Sequence, residues 1–323
     1  MNSTQANVSV VIPVRDGAAT IEASILSALH SSRVLEIIVV DDGSIDATVS
    51  VVEAVADSRV RVLQRPPSGI PQTLNVGFDH VQGDFIVRCD ADDQLVDGAL
   101  EIQARFLETH PDYVAVCGQH YVEHTETGVS VVQPGLNTST DVDSELRAGV
   151  ISTHFGSWLT RYSAIEAIGG ARNWFVTSQD LDLQYRIAFQ GKIRYLPFKF
   201  YNYNLHDSSI SHSSMNSRRI FYKQHAQKFC LQRAATGSDD LELGRAPAYV
   251  DLGDDCSHMT AASRTAGLLE GAAWRKLKDA QPREATRLML HSLRMQPLSW
   301  RRWRSLGVLG FRSAAIMLRN AAF

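Results

Sequence analysis

Asp84-Phe85-Ile86-Val87-Arg88-Cys89-Asp90-Ala91-Asp92-Asp93 is the stretch whose reading decides the fold of this chain. Phe85, Ile86, Val87 and Cys89 make a short run rich in β-formers, too short for a helix and suited to a buried strand. The run stops at Asp90, Asp92 and Asp93, which puts three carboxylates just past the C-terminal end of a strand. In an open α/β sheet that edge is where ligands bind. Carboxylates this close repel one another unless water or a cation stands between them. A hard divalent ion, Mg²⁺ or Mn²⁺, would remove the repulsion and leave coordination positions for phosphate oxygens. Asp-x-Asp alone is more often a solvated acidic turn ahead of a helix, here one expected to begin at Leu95, so the neighbouring segments must decide.

Working back towards the N-terminus, Val8 to Pro13 reads as a first buried strand, stopped by Pro13 and turned at Asp16-Gly17. Residues 20–30 place Ile21, Ile25, Leu26 and Leu29 at helical spacing. Leu35 to Val40 is an apolar run of strand length that leads directly into Asp41-Asp42-Gly43-Ser44. A helix over 47–56 and a strand over 60–63 complete a β-α-β-α-β order, the sequence of a doubly wound parallel sheet. The rigid loop Pro66 to Pro71 precedes a short helix over 73–81 that carries Asn75. The acidic turn then ends a fourth strand, and the clusters at 41–42 and 90–93 should converge on one sheet edge. Pro13-Val14-Arg15-Asp16-Gly17 stands where a dinucleotide fold places Gly-x-Gly-x-x-Gly, so a phosphate ligand would need a metal, the task assigned to Asp92.

Composition agrees with a folded α/β protein, with 44% hydrophobic and 21% charged residues in a chain of 323. A net charge of −3 gives no global field for nucleic acid. Cys89, Cys117, Cys230 and Cys256 are scattered, with no Cys-x-x-Cys, which argues against a zinc site or a disulfide framework. Strand-like sequence from Val8 leaves no room for a signal peptide, and no run of apolar residues is long enough to span a bilayer. A cytoplasmic location is the expectation.

Val10-Val11-Ile12-Pro13, Val39-Val40-Asp41-Asp42-Gly43-Ser44 with Asp46 and Thr48, Leu74-Asn75-Val76-Gly77, Gly83-Asp84-Phe85-Ile86 and Asp90-Ala91-Asp92-Asp93 together resemble the nucleotide-binding half of a family 2 glycosyltransferase of the GT-A fold. The resemblance implies a Rossmann-like, mostly parallel α/β sheet flanked by helices. It implies that Asp42 (or Asp41) contacts the uracil or ribose of a nucleotide sugar, that Asp90 lies near ribose and sugar, and that Asp92 binds the metal on the diphosphate. Pro13, Val14, Arg15, Asn75 and Ala91 join the expected nucleotide-sugar set. Arg15 and Asp16 stand where an aromatic-Asn pair is common in the family, and Ser68 and Pro71 where Asn and Ser are common.

The remainder supplies the acceptor side. A helix over 99–107, a strand over 113–118, a hairpin-like stretch over 119–133 and a polar loop over 134–147 are expected. His154 to Arg161 and the helix ending in Gly169-Gly170 resemble the family's acceptor-domain strand and helix, and His154 is either a core histidine or an acceptor or diphosphate contact. Thr177 to Leu183 opens a helix; an acidic residue in a first turn has an ordinary reason there, the helix dipole. By resemblance Asp180 is the general base, while Gln179 replaces the family's Glu beside the acceptor. Asp182 should point elsewhere. Asn204 to Ser211 resembles the family's closing Arg-x-His-x-x-Ser-x-Ser segment, making His206 the candidate third metal ligand and leaving Asn204 at the Arg position.

The expected organisation is a GT-A domain over 1–215, with a nucleotide-sugar half over 1–98 and an acceptor half over 99–215, followed by a helical region over 216–323. After Glu284 the chain has no acidic residue and seven arginines, with Trp300 and Trp303 beside Arg301, Arg302 and Arg304. Such a segment over 296–323 suits peripheral contact with an anionic membrane, or packs its tryptophans on the body of the enzyme. Ser299 replaces the Gln of the Gln-x-x-Arg-Trp motif of processive synthases, which disfavours polymer synthesis. The expected reaction is inverting, Mg²⁺- or Mn²⁺-dependent transfer of one sugar from a nucleotide donor, a UDP-sugar by preference, to a hydroxyl acceptor. Two other readings are a sugar-phosphate nucleotidyltransferase, which would want a basic Gly-rich loop after the first strand, and a nucleotide-sugar binding protein without catalysis.

Overall fold

The computed structural model describes residues 7–124, 129–132, 138–150, 153–205, 217–250 and 260–321. Strands β1 (Val8–Val14), β2 (Val34–Asp41), β3 (Val60–Gln64) and β4 (Phe85–Arg88) alternate with helices α1 (Ile21–Leu29), α2 (Thr48–Ala54) and α3 (Ile70–Phe78). β1 pairs in parallel with both β2 and β4, and β2 with β3, as the β-α-β order requires. Strands covered on both faces read as continuous apolar runs, and Val10, Val11, Ile12, Ile37, Ile38, Val39 and Val40 are all fully buried. α1 turns Ile21, Ile25 and Ala28 inward and leaves Leu26 exposed, one face of a helix. α3 lies close on β1 because Gly77 has no side chain: a Cβ there would stand 2.4 Å from Val11 Cγ1.

The chain continues through β5 (Gln94–Leu95), α4 (Ala99–Thr109), β6 (Tyr113–His124), β7 (Val129–Val132), β8 (Thr140–Asp141), α5 (Asp143–Arg147), a 3₁₀ turn (Phe155–Ser157), β9 (Leu159–Arg161), α6 (Tyr162–Ala167), α7 (Gln179–Ile187) and β10 (Lys192–Leu205). The sheet order is β3-β2-β1-β4-β9-β6-β10-β5, with β7 beside β6 and β8 beside β10. β9 is antiparallel to β4 and β6, so an antiparallel second half continues the parallel first half. Helices α8 (Ser217–Thr236), α9 (Ala261–Lys278), α10 (Pro282–Met295) and α11 (Trp300–Ala321) follow.

Three expectations are corrected here. Of the two starts read for the helix after the acidic turn, Leu95 and Ala99, the second is right: α4 begins at Ala99, after Gly98 in the left-handed region, and Leu95 pairs with Tyr201 as a strand residue. The stretch 134–147 is not simply a polar loop: β8 and α5 lie in it, and Val142 and Leu146 enter the main core. A single helical turn is too short for periodicity to register. The expected strand from His154 starts at Leu159, after the 3₁₀ turn.

The described residues form two compact units. The first contains β1–β5, α1–α8, β8, β9, and β6 and β10 as far as His120 and Asn202. The second contains the ends of β6 and β10, β7 and α9–α11. The division therefore places α8 with the first unit, whereas the sequence reading set a boundary at 215–216. In the second unit Ala273 and Leu277 of α9, Ala285 and Met289 of α10 and Leu309 of α11 build a small core of their own.

Candidate active site

The register of the parallel strands aligns their C-terminal ends, Val14 opposite Asp41 and Val11 opposite Arg88. The Cys89 N–H donates to the Val11 carbonyl at 3.1 Å and the Asp42 N–H to the Val14 carbonyl at 2.8 Å, extending the alignment into the loops. The two acidic clusters thus flank the turn after β1, as expected. That turn is tied to the loop after β2: the Asp16 N–H donates to Ser44 Oγ at 2.8 Å, and the Gly17 N–H to Thr48 Oγ1 at 2.9 Å. Val14 is buried, while Arg15 and Asp16 are exposed and lie 3.9 Å from one another.

Asp42 has a definite task. Its carboxylate accepts from the Ser68 N–H at 2.9 Å, Ser68 Oγ at 2.8 Å and the Gly69 N–H at 2.8 Å, clasping the Pro-rich loop before α3. Burial works against its charge, but the hydrogen bonds from Ser68, Gly69 and Thr73 outweigh burial and hold its pKa below the ordinary value. Asp41 accepts longer bonds from the Ser44 N–H, at 3.2 and 3.3 Å. Asp42→Ala should therefore cost about 1–3 kcal/mol, because the loop loses hydrogen bonds to a buried, charged acceptor. Since the folded pKa is depressed, the carboxylate's stabilisation is complete above the unfolded value near 4 and is lost as pH falls through the folded one. Urea unfolding of wild type and Asp42→Ala at neutral and acidic pH should show the gap closing in acid.

At the end of β4, Arg88 Nε donates to Asp90 Oδ1 at 2.7 Å. Burial disfavours the Arg88 charge, and Asp90, followed by Asp180, outweighs burial, so the guanidinium stays charged within electrostatic reach of both carboxylates. The repulsion among the acidic residues is thus relieved in part by a cation of the protein itself. The Asp90 N–H donates to the Tyr201 hydroxyl at 2.9 Å. Ser24 Oγ donates to the carbonyls of Ala91 at 2.9 Å and Asp93 at 2.6 Å, which holds the turn to α1. Asp93 is fully buried, while Asp90 and Asp92 are partly exposed. Two carboxylates, not three, reach the ligand edge.

Asn75, expected at the nucleotide sugar, is engaged elsewhere. Its Nδ2 donates to the Ala171 carbonyl and its Oδ1 accepts from the Ala171 N–H, both at 2.8 Å. Gly170 precedes at φ +68°, where a Cβ would lie 2.5 Å from Asn75 Oδ1. The Leu-Asn-Val-Gly segment and the Gly-Gly turn are therefore one packing device, and Asn75 positions that turn.

His154 Nδ1 accepts from the Gly156 N–H at 3.2 Å. Its ring stacks on Tyr201 at a centroid distance of 5.1 Å and meets His120 at 5.2 Å. Burial, then the neighbouring His154, brings the His120 pKa down to about 3, so His120 is neutral at physiological pH. His154 is one ring removed from the Tyr201 hydroxyl at Asp90, a position next to the acidic edge.

α7 follows Ser178 in the left-handed region at φ +60°. Asp180, in the first turn, is partly exposed, whereas Gln179 is buried. Gln179, expected at the acceptor, is 5% exposed. Asp182 is also buried, paired with Arg172 and with Arg186 at 3.3 Å. Arg172 binds Asp239 as well, at 2.8 Å. His206 lies outside the described residues. Among the described residues no group of three or more His, Cys, Asp or Glu is arranged to hold a metal ion.

Sequence reasoning passed over Arg88 and Tyr201. Arg88 was in plain view, a charge inside an apolar strand and a signal in itself. Tyr201 meets Asp90 across 111 residues and carries no local signature.

The glycosyl transferase family 2 model matches residues 9–169. EpsE of Bacillus subtilis is 30% identical over 215 residues, covering 62% of this chain and 70% of that protein. The chain belongs to glycosyl transferase family 2. Chondroitin synthase of Pasteurella multocida is 26% identical over 215 residues, covering 66% of this chain, and this chain spans only 22% of that relative's length. The fold resembles that of S. aureus TarS 1-349 in complex with UDP-GlcNAc, with a TM-score of 0.59 at 14% identity, over 96% of this chain and 89% of that one. The family match covers the acidic edge, Arg88, Asn75 and His154 and ends ahead of α7. No helix of the described residues is long and apolar enough to cross a membrane.

Proposed function

We propose that this chain is an inverting glycosyltransferase that moves one sugar from a UDP-sugar to a hydroxyl of a polysaccharide or glycolipid acceptor. The observation that carries the reading is Arg88, held by Asp90 and within reach of Asp180, since it links the nucleotide edge of the sheet to the carboxylate of α7. The acceptor oxygen forms its bond to the anomeric carbon as the bond to the diphosphate breaks on the opposite face, which inverts the centre. Asp180 takes the hydroxyl proton, and the nucleoside diphosphate leaves. Asp42 shapes the loop wall beside the base, and Tyr201 fixes the backbone of Asp90. Glycosyltransferase relatives and a UDP-GlcNAc-bound neighbour of the same fold support this donor class.

Hard oxygen donors at Asp90 and Asp92 suit Mg²⁺ or Mn²⁺, ions that complete their shell with substrate phosphates and water. Such an ion would neutralise the departing diphosphate. Asp92→Asn should weaken metal-dependent donor binding by at least about tenfold. Calorimetry with UDP-, GDP- and dTDP-sugars in Mg²⁺, Mn²⁺ or EDTA tests this, and equal binding by wild type and variant, or in EDTA, would remove the metal role. Binding of no nucleotide sugar under any condition would remove the transferase reading. Peripheral attachment to an anionic membrane through 296–323 completes the proposal, at the cytoplasmic face where a lipid-linked acceptor would lie. Deletion of that segment should release the protein from anionic vesicles.

A further inference from the structure

The geometry points to a headgroup site on the second unit: a recess between α9 and α11 that takes the phosphate of an anionic membrane lipid. This inference rests on the peripheral-membrane reading and gives it a specific contact. The recess holds about 220 Å³ and is lined by Trp274, Trp300, Arg301, Arg304, Ser305 and Val308. Two guanidiniums beside two indoles match an anionic headgroup, the cations meeting the phosphate and the rings the glycerol and upper acyl carbons. Neither Arg301 nor Arg304 forms an ion pair among the described residues, and both are exposed.

The arginine between them shows the contrast. Arg302 turns inward, donates to Ser292 Oγ at 3.1 Å and lies 3.7 Å from Glu270. Glu270 also accepts from Ser305 Oγ at 2.7 Å, so the acid nearest the recess already has its partners. Arg312 lies over the Trp274 ring at 6.0 Å and adds a third cation beside the recess. Trp300, in the lining, is 73% exposed, and elsewhere on the same segment Phe311 is 81% and Leu298 98% exposed. Large apolar side chains interleaved with unpaired arginines are the pattern of an interfacial helix. From α11 onward the chain contains arginine and no acid, so charge complementarity selects an anionic leaflet.

The test is co-sedimentation of the full chain with phosphatidylcholine vesicles, with and without phosphatidylglycerol. Wild type should bind only the vesicles containing phosphatidylglycerol. Arg301→Gln with Arg304→Gln should weaken that binding about thirtyfold, the effect of two surface charges beside an anionic leaflet. Arg287→Gln with Arg294→Gln makes the same change in net charge on α10 and should weaken it no more than about threefold. Trp300→Ala should also weaken binding and reduce the blue shift of tryptophan emission on adding vesicles. Equal losses from the two double variants would mean diffuse attraction and overturn the site. Failure of wild type to bind either vesicle would overturn the membrane reading along with it, whereas donor binding measured on the same samples reports the transferase reading separately.

Discussion

Asp180→Asn should reduce sugar transfer by about 10²–10⁴-fold, the usual contribution of a positioned general base, while leaving donor affinity within a factor of about two. Asparagine keeps the shape and the hydrogen-bonding capacity and removes only the ability to take a proton. The substitution also takes one of two carboxylates from Arg88, but Asp90 retains its 2.7 Å contact with that side chain. Donor binding at the sheet edge should therefore survive. Single-turnover transfer together with calorimetric donor binding on the same preparation separates the two effects. Unchanged turnover would return Asp180 to the ordinary role of an acidic residue in a first helical turn. Loss of donor binding along with turnover would make it a donor-site residue.

Arg172→Met should lower stability by about 3–5 kcal/mol, because it breaks a buried ion network from one side. Arg172 serves both Asp182 and Asp239, whose carboxylates are almost completely shielded from water. Burial opposes the Arg172 charge, and Asp182 and Asp239 outweigh it, raising its pKa. Methionine keeps an unbranched apolar stem and withdraws the guanidinium, which lies over the Phe175 and Phe229 rings at 5.4 Å each. Arg186 and Arg233 would remain as single partners of Asp182 and Asp239. Denaturant unfolding reads the loss, with Asp180→Asn as a reference expected to lie within about 0.5 kcal/mol of wild type. A loss below about 1 kcal/mol would show that the network is not a stabilising unit. Because the same network anchors α7 against α8 and the 239–242 turn, Arg172→Met should also slow transfer through a misplaced Asp180.

These two expectations separate residues that look alike in the sequence. Asp180 and Asp182 stand two apart in the first turn of α7, and helical geometry alone says that they face different ways. Their surroundings distinguish the partly exposed carboxylate from the one consumed by Arg172 and Arg186. Asn75 is a similar case. Its segment is legible as a family feature, but the two hydrogen bonds to Ala171 give it a structural use in place of the expected nucleotide contact.

The parallel half of the fold was decided by local pattern. Apolar runs ending in Pro13, Asp41 and Asp90, with helical spacing between them, permit little besides a β-α-β-α-β sheet, and parallel register then brings those ends to one edge. The acidic edge follows from that alone, since strand ends and turn chemistry are written in consecutive residues, and the family is legible in the motifs that those ends carry. Tertiary structure decided whatever depends on partners far away in the chain. Tyr201 reaches Asp90, Asp42 clasps Ser68 and Gly69, Arg172 ties α7 to Asp239, and α5 gains its place by burying Val142 and Leu146. A carboxylate's role is set by which donors and cations surround it in space, and that is a property of the packed chain and not of the residue's immediate neighbours.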